Sequence, residues 1–388
     1  MKNSRRIVST ILLGCALAWA PFGSAQDKVT PLAIGSAAPD FDLPGIDGKN
    51  HSLKDYASDV LMALFTCNHC PTAQAYEERI KKLVTDYKDK SFSLVAISPN
   101  DPTAVRLDEL GYAVYGDSLE DMKLHAAAQE FNFPYLFDGK TQSVSKAYGV
   151  LATPHVFIFD KERALRYQGR IDDSEKGDNI KSQDARDAID ALLAGKAVPA
   201  ETTRVFGCST KWATKRDGAA KADERWNKLP VTVEAIDVAG VKSLARNKTK
   251  KLRLINVWAT WCGPCVAEMP ELVKINRMYQ GRDFELITIS RDDAEKAEKV
   301  AEFAKAHHLA VSPKIAESLK EEKRGTNNYH FTSDNYDALA DGLDKEWRGP
   351  LPYSVLIAPG GKVLYRQEGE IDPIKLREAI VGFVGRTY

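Results

Sequence analysis

The stretch that decides the fold is residues 256–265, Asn-Val-Trp-Ala-Thr-Trp-Cys-Gly-Pro-Cys. An apolar run ending at Trp258 predicts a buried strand, and Pro264 predicts the first turn of a helix. Cys262 would then lie at the helix N-terminus, where unpaired N–H groups and the helix dipole favour a thiolate. Because Cys265 follows one helical turn later, the spacing predicts a disulfide between the two cysteines.

A second C-x-x-C motif lies in the first half of the chain. Cys67-Asn68-His69-Cys70 follows the apolar run 60–65, and Pro71 opens a stretch of helical periodicity. The sequence therefore predicts two thiol–disulfide units in one chain.

The length and the net charge of the chain indicate how many domains it has and which partners it does not favour. A chain of 388 residues suits two domains of ordinary size. Lys+Arg and Asp+Glu both number 54, so no basic excess points to nucleic acid as a partner.

The first 25 residues have the pattern of a secretory signal peptide. Basic residues precede the apolar run 7–20, and small residues precede a cleavage site after Ala25. A second interpretation is a lipoprotein signal, with lipidation of Cys15 and anchoring to a membrane. Either one predicts export to the periplasm or cell envelope, where an exported C-x-x-C is usually a redox pair.

The predicted elements repeat in the two units. The first unit, 34–199, has the order β-α-β-α-β-β-α, and the second, 231–388, repeats it. We expect two thioredoxin-like α/β folds in tandem, each with a mixed sheet flanked by helices. Residues 200–230 are expected to form an extended tail and linker, and 313–349 a long polar insertion.

The second unit resembles the TlpA/ResA-like branch of the thioredoxin superfamily. The match is the pattern W-C-x-P-C-x-x-E-x-P at residues 261–270. The resemblance implies that Glu268 is an acid near the thiols. It also places Asn256 where thioredoxin has a buried Asp.

The first unit resembles a peroxiredoxin-like family related to the redoxins and to AhpC/TSA. The matching segments are CNHCP at 67–71, SPND at 98–101, FPYLFD at 133–138, GRIDD at 169–173 and GCSTKW at 207–212. True peroxiredoxins carry P-x-x-x-[TS]-x-x-C before the reactive thiol. Aligned on Cys67, that pattern meets Leu64 at the Thr/Ser position, which favours disulfide exchange over peroxide reduction.

Disulfide exchange needs an attacking thiolate and a resolving thiol. We expect Cys262 to attack and Cys265 to resolve in the second unit. In the first unit we expect Cys67 to attack and Cys70 to resolve, with protonated His69 stabilising the Cys67 thiolate.

The two motifs differ in the redox character that they predict. C-x-H-C is typical of oxidising oxidoreductases and C-G-P-C of reducing ones, so electrons are expected to flow from the second unit to the first. Protein disulfides and dithiols are the expected partners, and a membrane thiol reductase is the expected donor. Beyond redox-active disulfides, no cofactor or metal is expected.

Two other functions stay open. One is a thiol-dependent peroxidase that uses Cys67. The other is a metal or haem-maturation chaperone, in which Cys67, His69 and Cys70 supply the ligands.

The superfamily resemblance also implies a cis-proline loop that holds a substrate strand beside the cysteines. Pro154 and Pro352 lie where that loop is expected, and Trp261 is expected to contact substrate. Cys208 is either a third redox thiol that resolves Cys67 or a buried structural cysteine.

Overall fold

The computed structural model describes residues 29–388, so the predicted signal peptide and Cys15 lie outside the described residues. The strands of the first half are β1 (Asp42–Pro44), β2 (Asn50–Ser52), β3 (Val60–Phe65), β4 (Phe92–Ser98), β5 (Tyr135–Phe137), β6 (Ala152–Thr153), β7 (His155–Phe159), β8 (Leu165–Gly169) and β9 (Cys208–Ser209). Its helices are α1 (Pro71–Asp86), α2 (Leu119–Ala128), α3 (Ser143–Tyr148), α4 (Asp184–Leu193) and α5 (Arg216–Asn227).

The first sheet has the strand order β5-β4-β3-β7-β8. Strands β3, β4 and β5 run parallel, whereas β7 and β8 are antiparallel to their neighbours. All six residues of β3 are buried. Such a continuous apolar strand fits the centre of a sheet that is covered on both faces.

The second half repeats this plan with a wider sheet. Its strands are β10 (Glu234–Ile236), β11 (Leu252–Trp258), β12 (Phe284–Ser290), β13 (Asn328–Phe331), β14 (Tyr353–Ile357) and β15 (Val363–Glu368). Its helices are α6 (Val238–Arg246), α7 (Gly263–Met278), α8 (Ala297–Ala306), α9 (Pro313–Glu321), α10 (Tyr336–Leu343) and α11 (Pro373–Val384). The order β10-β13-β12-β11-β14-β15 again pairs a central strand with a parallel neighbour on one side and an antiparallel one on the other.

Both halves therefore place a C-x-x-C motif at the carboxyl end of a central strand and at the start of a helix. The two prolines predicted to be cis are cis, at Thr153–Pro154 and Leu351–Pro352. Each proline lies directly before the antiparallel strand that pairs with the central strand. The predicted pair of thioredoxin-like α/β folds is confirmed.

Two segments differ from the sequence-based expectation. Residues 200–230 contain β9 and the twelve-residue helix α5, rather than only an extended linker. Helix α5 is polar, and one large apolar residue, Trp226, is buried, so its periodicity is too weak to detect. The expected insertion 313–349 supplies α9, α10 and the internal strand β13, because Asn328–Phe331 is buried between β10 and β12.

The two domains touch at the carboxyl end of α7. Tyr279 Oη donates to the Ala113 carbonyl over 3.2 Å, and Arg282 Nη1 donates to the Gly111 carbonyl over 3.1 Å. A sixteen-residue helix is about 24 Å long, so this contact is about that far from Cys262 along the axis of α7.

The segment after α11 reaches the first domain. The Arg386 guanidinium donates to Gln74 Oε1 over 2.6 Å and to the buried Glu77 carboxylate over 2.8 Å. The ring of Tyr388 packs edge-on against Tyr112, with centroids 5.1 Å apart. Gln74 is one helical turn beyond Cys70. The segment of the second domain that follows α11 therefore lies close to the thiols of the first domain.

Within residues 29–388, we find no helix with the length and apolar character needed to cross a membrane.

Candidate active site

The cysteine pair of the second domain is placed by the start of α7. Cys262 is the N-cap residue, and the N–H of Cys265 donates to its sulfur over 3.3 Å. The two cysteines form a disulfide. Cys262 retains 6% of its surface and Cys265 none, so Cys262 is the sulfur that an incoming thiolate can approach. Trp261 is 59% exposed and offers an apolar surface next to it.

Glu268 lies behind this disulfide, one turn further along α7. Asn256 Nδ2 donates to its Oε1 over 2.9 Å, and the N–H of Ile371 donates to Oε2 over the same distance. Burial outweighs these two bonds and raises the pKa of Glu268 to about 7. The carboxyl group can therefore exchange a proton at neutral pH, which is the chemistry implied for it by the resemblance.

The cis-proline loop of the second domain has an open backbone edge. Pro352 accepts a hydrogen bond from the N–H of Gly369 over 2.9 Å, which anchors one end of the loop. In residues 29–388, the backbone of Leu351 makes no hydrogen bond. An added extended strand could therefore pair at Leu351.

The first domain places its cysteines differently. Its N-cap residue is Cys70, and the N–H of Ala73 donates to the Cys70 sulfur over 3.4 Å. Cys67 lies three residues before the helix, in the turn after β3. Both are free thiols and buried. The helix position that favours a thiolate therefore belongs to Cys70, the predicted resolver, and not to Cys67, the predicted attacker.

The acidities of the two thiols agree with this geometry. Burial raises the pKa of Cys70, but hydrogen bonds from Cys208 and Cys67 and the charge of His69 outweigh it and hold the pKa well below its usual range. Burial and the neighbouring Cys70 raise the pKa of Cys67. We expected the charge of His69 to stabilise the Cys67 thiolate. In the structure this charge lowers the pKa of Cys70 instead.

His69 is paired with a residue that the sequence analysis missed, Asp117. His69 Nδ1 lies 2.5 Å from Asp117 Oδ2, and both side chains are buried. Burial lowers the pKa of His69, but the Asp117 carboxylate outweighs it and the net shift is upward. Burial raises the pKa of Asp117, and His69 and its hydrogen bonds turn the net shift downward. An Asp just before a helix is usually interpreted as a helix cap. Nothing in the sequence therefore distinguished Asp117 from a capping residue.

Asp117 is also fully engaged as a hydrogen-bond acceptor. Its Oδ1 accepts the backbone N–H groups of Asn68 and His69 over 3.0 and 3.1 Å, and Asn100 Nδ2 donates to Oδ2 over 2.8 Å. Ligand atoms of Cys67, His69 and Asp117 lie within 4.8 Å of one another, which is close enough to hold a metal ion. Because the carboxylate already has these partners, the geometry suits a protonated histidine better than a metal.

Cys208 joins the thiols from outside the first sheet. Strand β9 pairs antiparallel with β6, which sets Cys208 opposite Thr153. Cys67 Sγ lies 3.1 Å from Thr153 Oγ1, and Cys70 Sγ donates to the Thr153 carbonyl over 3.2 Å. Cys208 is half-buried and packs against the small cluster that Cys67, Cys70 and Ala73 form.

The peroxidase pattern fits Cys70 no better than Cys67. Aligned on Cys70, P-x-x-x-[TS]-x-x-C places Ala63 at the proline and Cys67 at the Thr/Ser position. A sulfur therefore stands where a peroxiredoxin has a hydroxyl.

Comparison with known proteins identifies both halves of the chain. Residues 34–168 match the AhpC/TSA family, and residues 227–380 match the redoxin family. The thiol-disulfide oxidoreductase ResA of Geobacillus thermodenitrificans is 26% identical over 172 residues, which is 43% of this chain and 88% of that protein. ResA of Bacillus cereus is 25% identical over 186 residues, 47% of this chain and 94% of that protein.

Among solved structures, an uncharacterized conserved protein from Geobacillus kaustophilus is 38% identical. The match covers 46% of this chain and 92% of that one, with a TM-score of 0.42. The family resemblances inferred from the two cysteine motifs are confirmed. The chain belongs to the thioredoxin-like proteins, with an AhpC/TSA-family domain and a redoxin-family domain in tandem.

Proposed function

We propose that this protein is an exported thiol–disulfide oxidoreductase that reduces protein disulfides with Cys262 and Cys265. The observation that carries the proposal is the position of Cys262 at the N-terminus of α7, beside a cis-proline loop whose Leu351 backbone is unpaired. The relatives named ResA are thiol–disulfide oxidoreductases, which supports the same chemistry.

In this reaction the Cys262 thiolate attacks a substrate disulfide and forms a mixed disulfide. Cys265 then attacks Cys262 and releases the substrate as a dithiol. Cys265 is fully buried, so its thiol needs an internal proton acceptor before it can attack. Glu268, with a pKa of about 7, takes that role.

We assign the first domain to the oxidising end of the same chemistry. A cation next to a thiolate stabilises the reduced state, which makes the corresponding disulfide a stronger oxidant. Protonated His69 supplies that cation to Cys70, and the buried Asp117 carboxylate raises the pKa of His69 and so favours its protonated form. The Cys262/Cys265 dithiol then reduces a disulfide of the first domain to two thiols and is itself oxidised to a disulfide.

The contact between the domains restricts how this transfer takes place. Cys262 lies about 24 Å along α7 from the contact, whereas Cys70 lies beside it. Transfer therefore requires that the domains separate or that a second copy of the chain docks with its own Cys262.

The test of the proposed function is the reduction of insulin disulfides. We expect the Cys262→Ser variant to lose at least about tenfold in rate, since the attacking sulfur is gone. The double variant Cys67→Ser/Cys70→Ser should retain the wild-type rate within about twofold. An inactive wild type, or equal losses in both variants, would contradict the assignment.

We also expect the two centres to differ in reduction potential. Equilibration with glutathione buffers, followed by thiol alkylation and mass spectrometry, should give a more negative potential for Cys262/Cys265 than for the first-domain thiols. The physical reason is the His69 cation, which has no counterpart in the C-G-P-C motif. Equal potentials, or the reverse order, would overturn the direction of electron flow.

A further inference from the structure

The cis-proline loop of the first domain is already occupied by the chain itself. Strand β9 pairs with β6 in the register Ala152↔Ser209 and Thr153↔Cys208, directly before cis-Pro154. This is the edge on which the fold would hold an incoming substrate strand. The backbone of the corresponding residue of the second domain, Leu351, has no hydrogen-bond partner among residues 29–388. The two domains therefore differ in what they can accept.

The segment that begins β9 approaches the cis-proline loop closely. Gly207 has φ +137°, and a Cβ at this position would lie 2.1 Å from the Thr153 carbonyl oxygen. Only glycine fits such an approach without displacing the strand.

The strand is also anchored just beyond Cys208. The backbone N–H of Lys211 donates to Asn100 Oδ1 over 2.8 Å, and its ammonium group donates to Glu109 over 2.6 Å. The Lys211 carbonyl accepts bonds from the N–H of Asp101 and from Gln142 Nε2, each over 2.9 Å. The pairing is thus part of the folded domain and holds Cys208 beside Cys70.

We infer that residues 207–209 form a built-in substrate strand, that Cys208 is the thiol that resolves Cys70, and that the external substrate of the first domain is a small-molecule disulfide. A protein strand cannot pair with the loop while β9 is there, whereas a small disulfide needs no strand pairing. This inference rests on the proposed thiol–disulfide function.

The reaction needs one disulfide, RSSR, and two thiols of the protein. Cys70 is fully buried, so the reaction begins with a local opening that admits RSSR. The Cys70 thiolate then attacks one sulfur of RSSR, which forms a Cys70–SR bond, breaks the S–S bond and releases RS⁻. The Cys208 thiol then attacks Cys70, which forms the Cys70–Cys208 disulfide and breaks the Cys70–SR bond. The second RS⁻ takes the proton that Cys208 loses. Two protein thiols are oxidised, and RSSR is reduced to two thiols.

Oxidised glutathione is the probe, applied to the full chain with Cys262→Ser and Cys265→Ser so that only the first-domain thiols respond. After reduction, removal of the reductant and exposure to the probe, peptide mapping should find Cys70 linked to Cys208. Adding Cys208→Ser should leave glutathione on Cys70 with a half-life at least tenfold longer, and Cys208→Ala should do the same. Thr214→Ala, a change at an exposed position beyond β9, should have no effect.

Three results would overturn the inference. One is a Cys67–Cys70 disulfide as the sole product, and another is equally fast release of glutathione in the Cys208 variants. The third is oxidation by hydrogen peroxide that outpaces oxidation by glutathione disulfide at equal concentration. If the thermal unfolding curves of the Cys208 and Thr214 variants coincide, misfolding is excluded as the cause. Loss of insulin reduction in the wild type would instead contradict the proposed function, since this experiment lacks Cys262 and Cys265.

Discussion

The Asp117→Asn variant is expected to lower the free energy of unfolding by about 3–5 kcal/mol. Asp117 and His69 form a buried ion pair at 2.5 Å, and removal of one charge leaves the other uncompensated. The new NH₂ group would also face either His69 Nδ1 and Asn100 Nδ2 or the backbone N–H groups of residues 68 and 69, where the carboxylate now accepts. Urea unfolding at pH 5.5 and 25 °C measures the loss.

The control for this change is Glu120→Gln, an equivalent carboxyl-to-amide substitution on α2. The Glu120 carboxylate is 78% exposed and pairs with Lys123 on the surface, so less than about 0.5 kcal/mol is expected. Similar losses of unfolding free energy in the two variants would show that removal of the Asp117 charge does not leave His69 as an uncompensated buried charge.

The same ion pair fixes the pH range in which it stabilises the fold. The pKa of Asp117 is lowered on folding, so its contribution is present above the ordinary carboxyl pKa and is lost as the pH falls below it. The pKa of His69 is raised, so its contribution is present below the ordinary histidine pKa and is lost as the pH rises through the folded value. The stabilisation is therefore greatest between about pH 4 and pH 6.5.

The sequence predicted the features that depend on local spacing. The C-x-x-C motifs and the helices that follow them lie within short segments, whereas the two cis-prolines were implied by the family resemblance. Glu268 was found because it is one helical turn beyond Cys265, and the structure places it against Asn256.

What the sequence could not predict depends on contacts between distant segments. Asp117 is 48 residues from His69, and Thr153 is 83 residues from Cys70, so no spacing rule brings them together. The order of Cys67 and Cys70 was inferred by analogy with C-G-P-C. In the first domain, however, α1 begins at Pro71, which moves the N-cap from the first cysteine of the motif to the second.

The Glu268→Gln variant is expected to be more stable than the wild type at pH 8 and to lose the part of the pH dependence of stability that this carboxyl group contributes. Folding raises the pKa of Glu268 from 4.5 to about 7, so the native state binds this proton more tightly than the unfolded chain does. The wild type should therefore lose about 2 kcal/mol between pH 5 and pH 8, as the unfolded carboxyl ionises first. Glutamine is neutral and keeps an oxygen that can accept from Ile371 or Asn256.

The same substitution should impair the chemistry while it stabilises the fold. Without a group to accept the Cys265 proton, insulin reduction should fall by at least about tenfold, and the rise in rate through pH 7 should disappear. Glu271→Gln, on the partly exposed side of α7, is the control for both readouts. A rate that keeps its inflection near pH 7 in Glu268→Gln would mean that another group takes the proton. Because a purely structural glutamate would change stability and leave the pH profile of the rate intact, the two measurements together separate a proton acceptor from a packing residue.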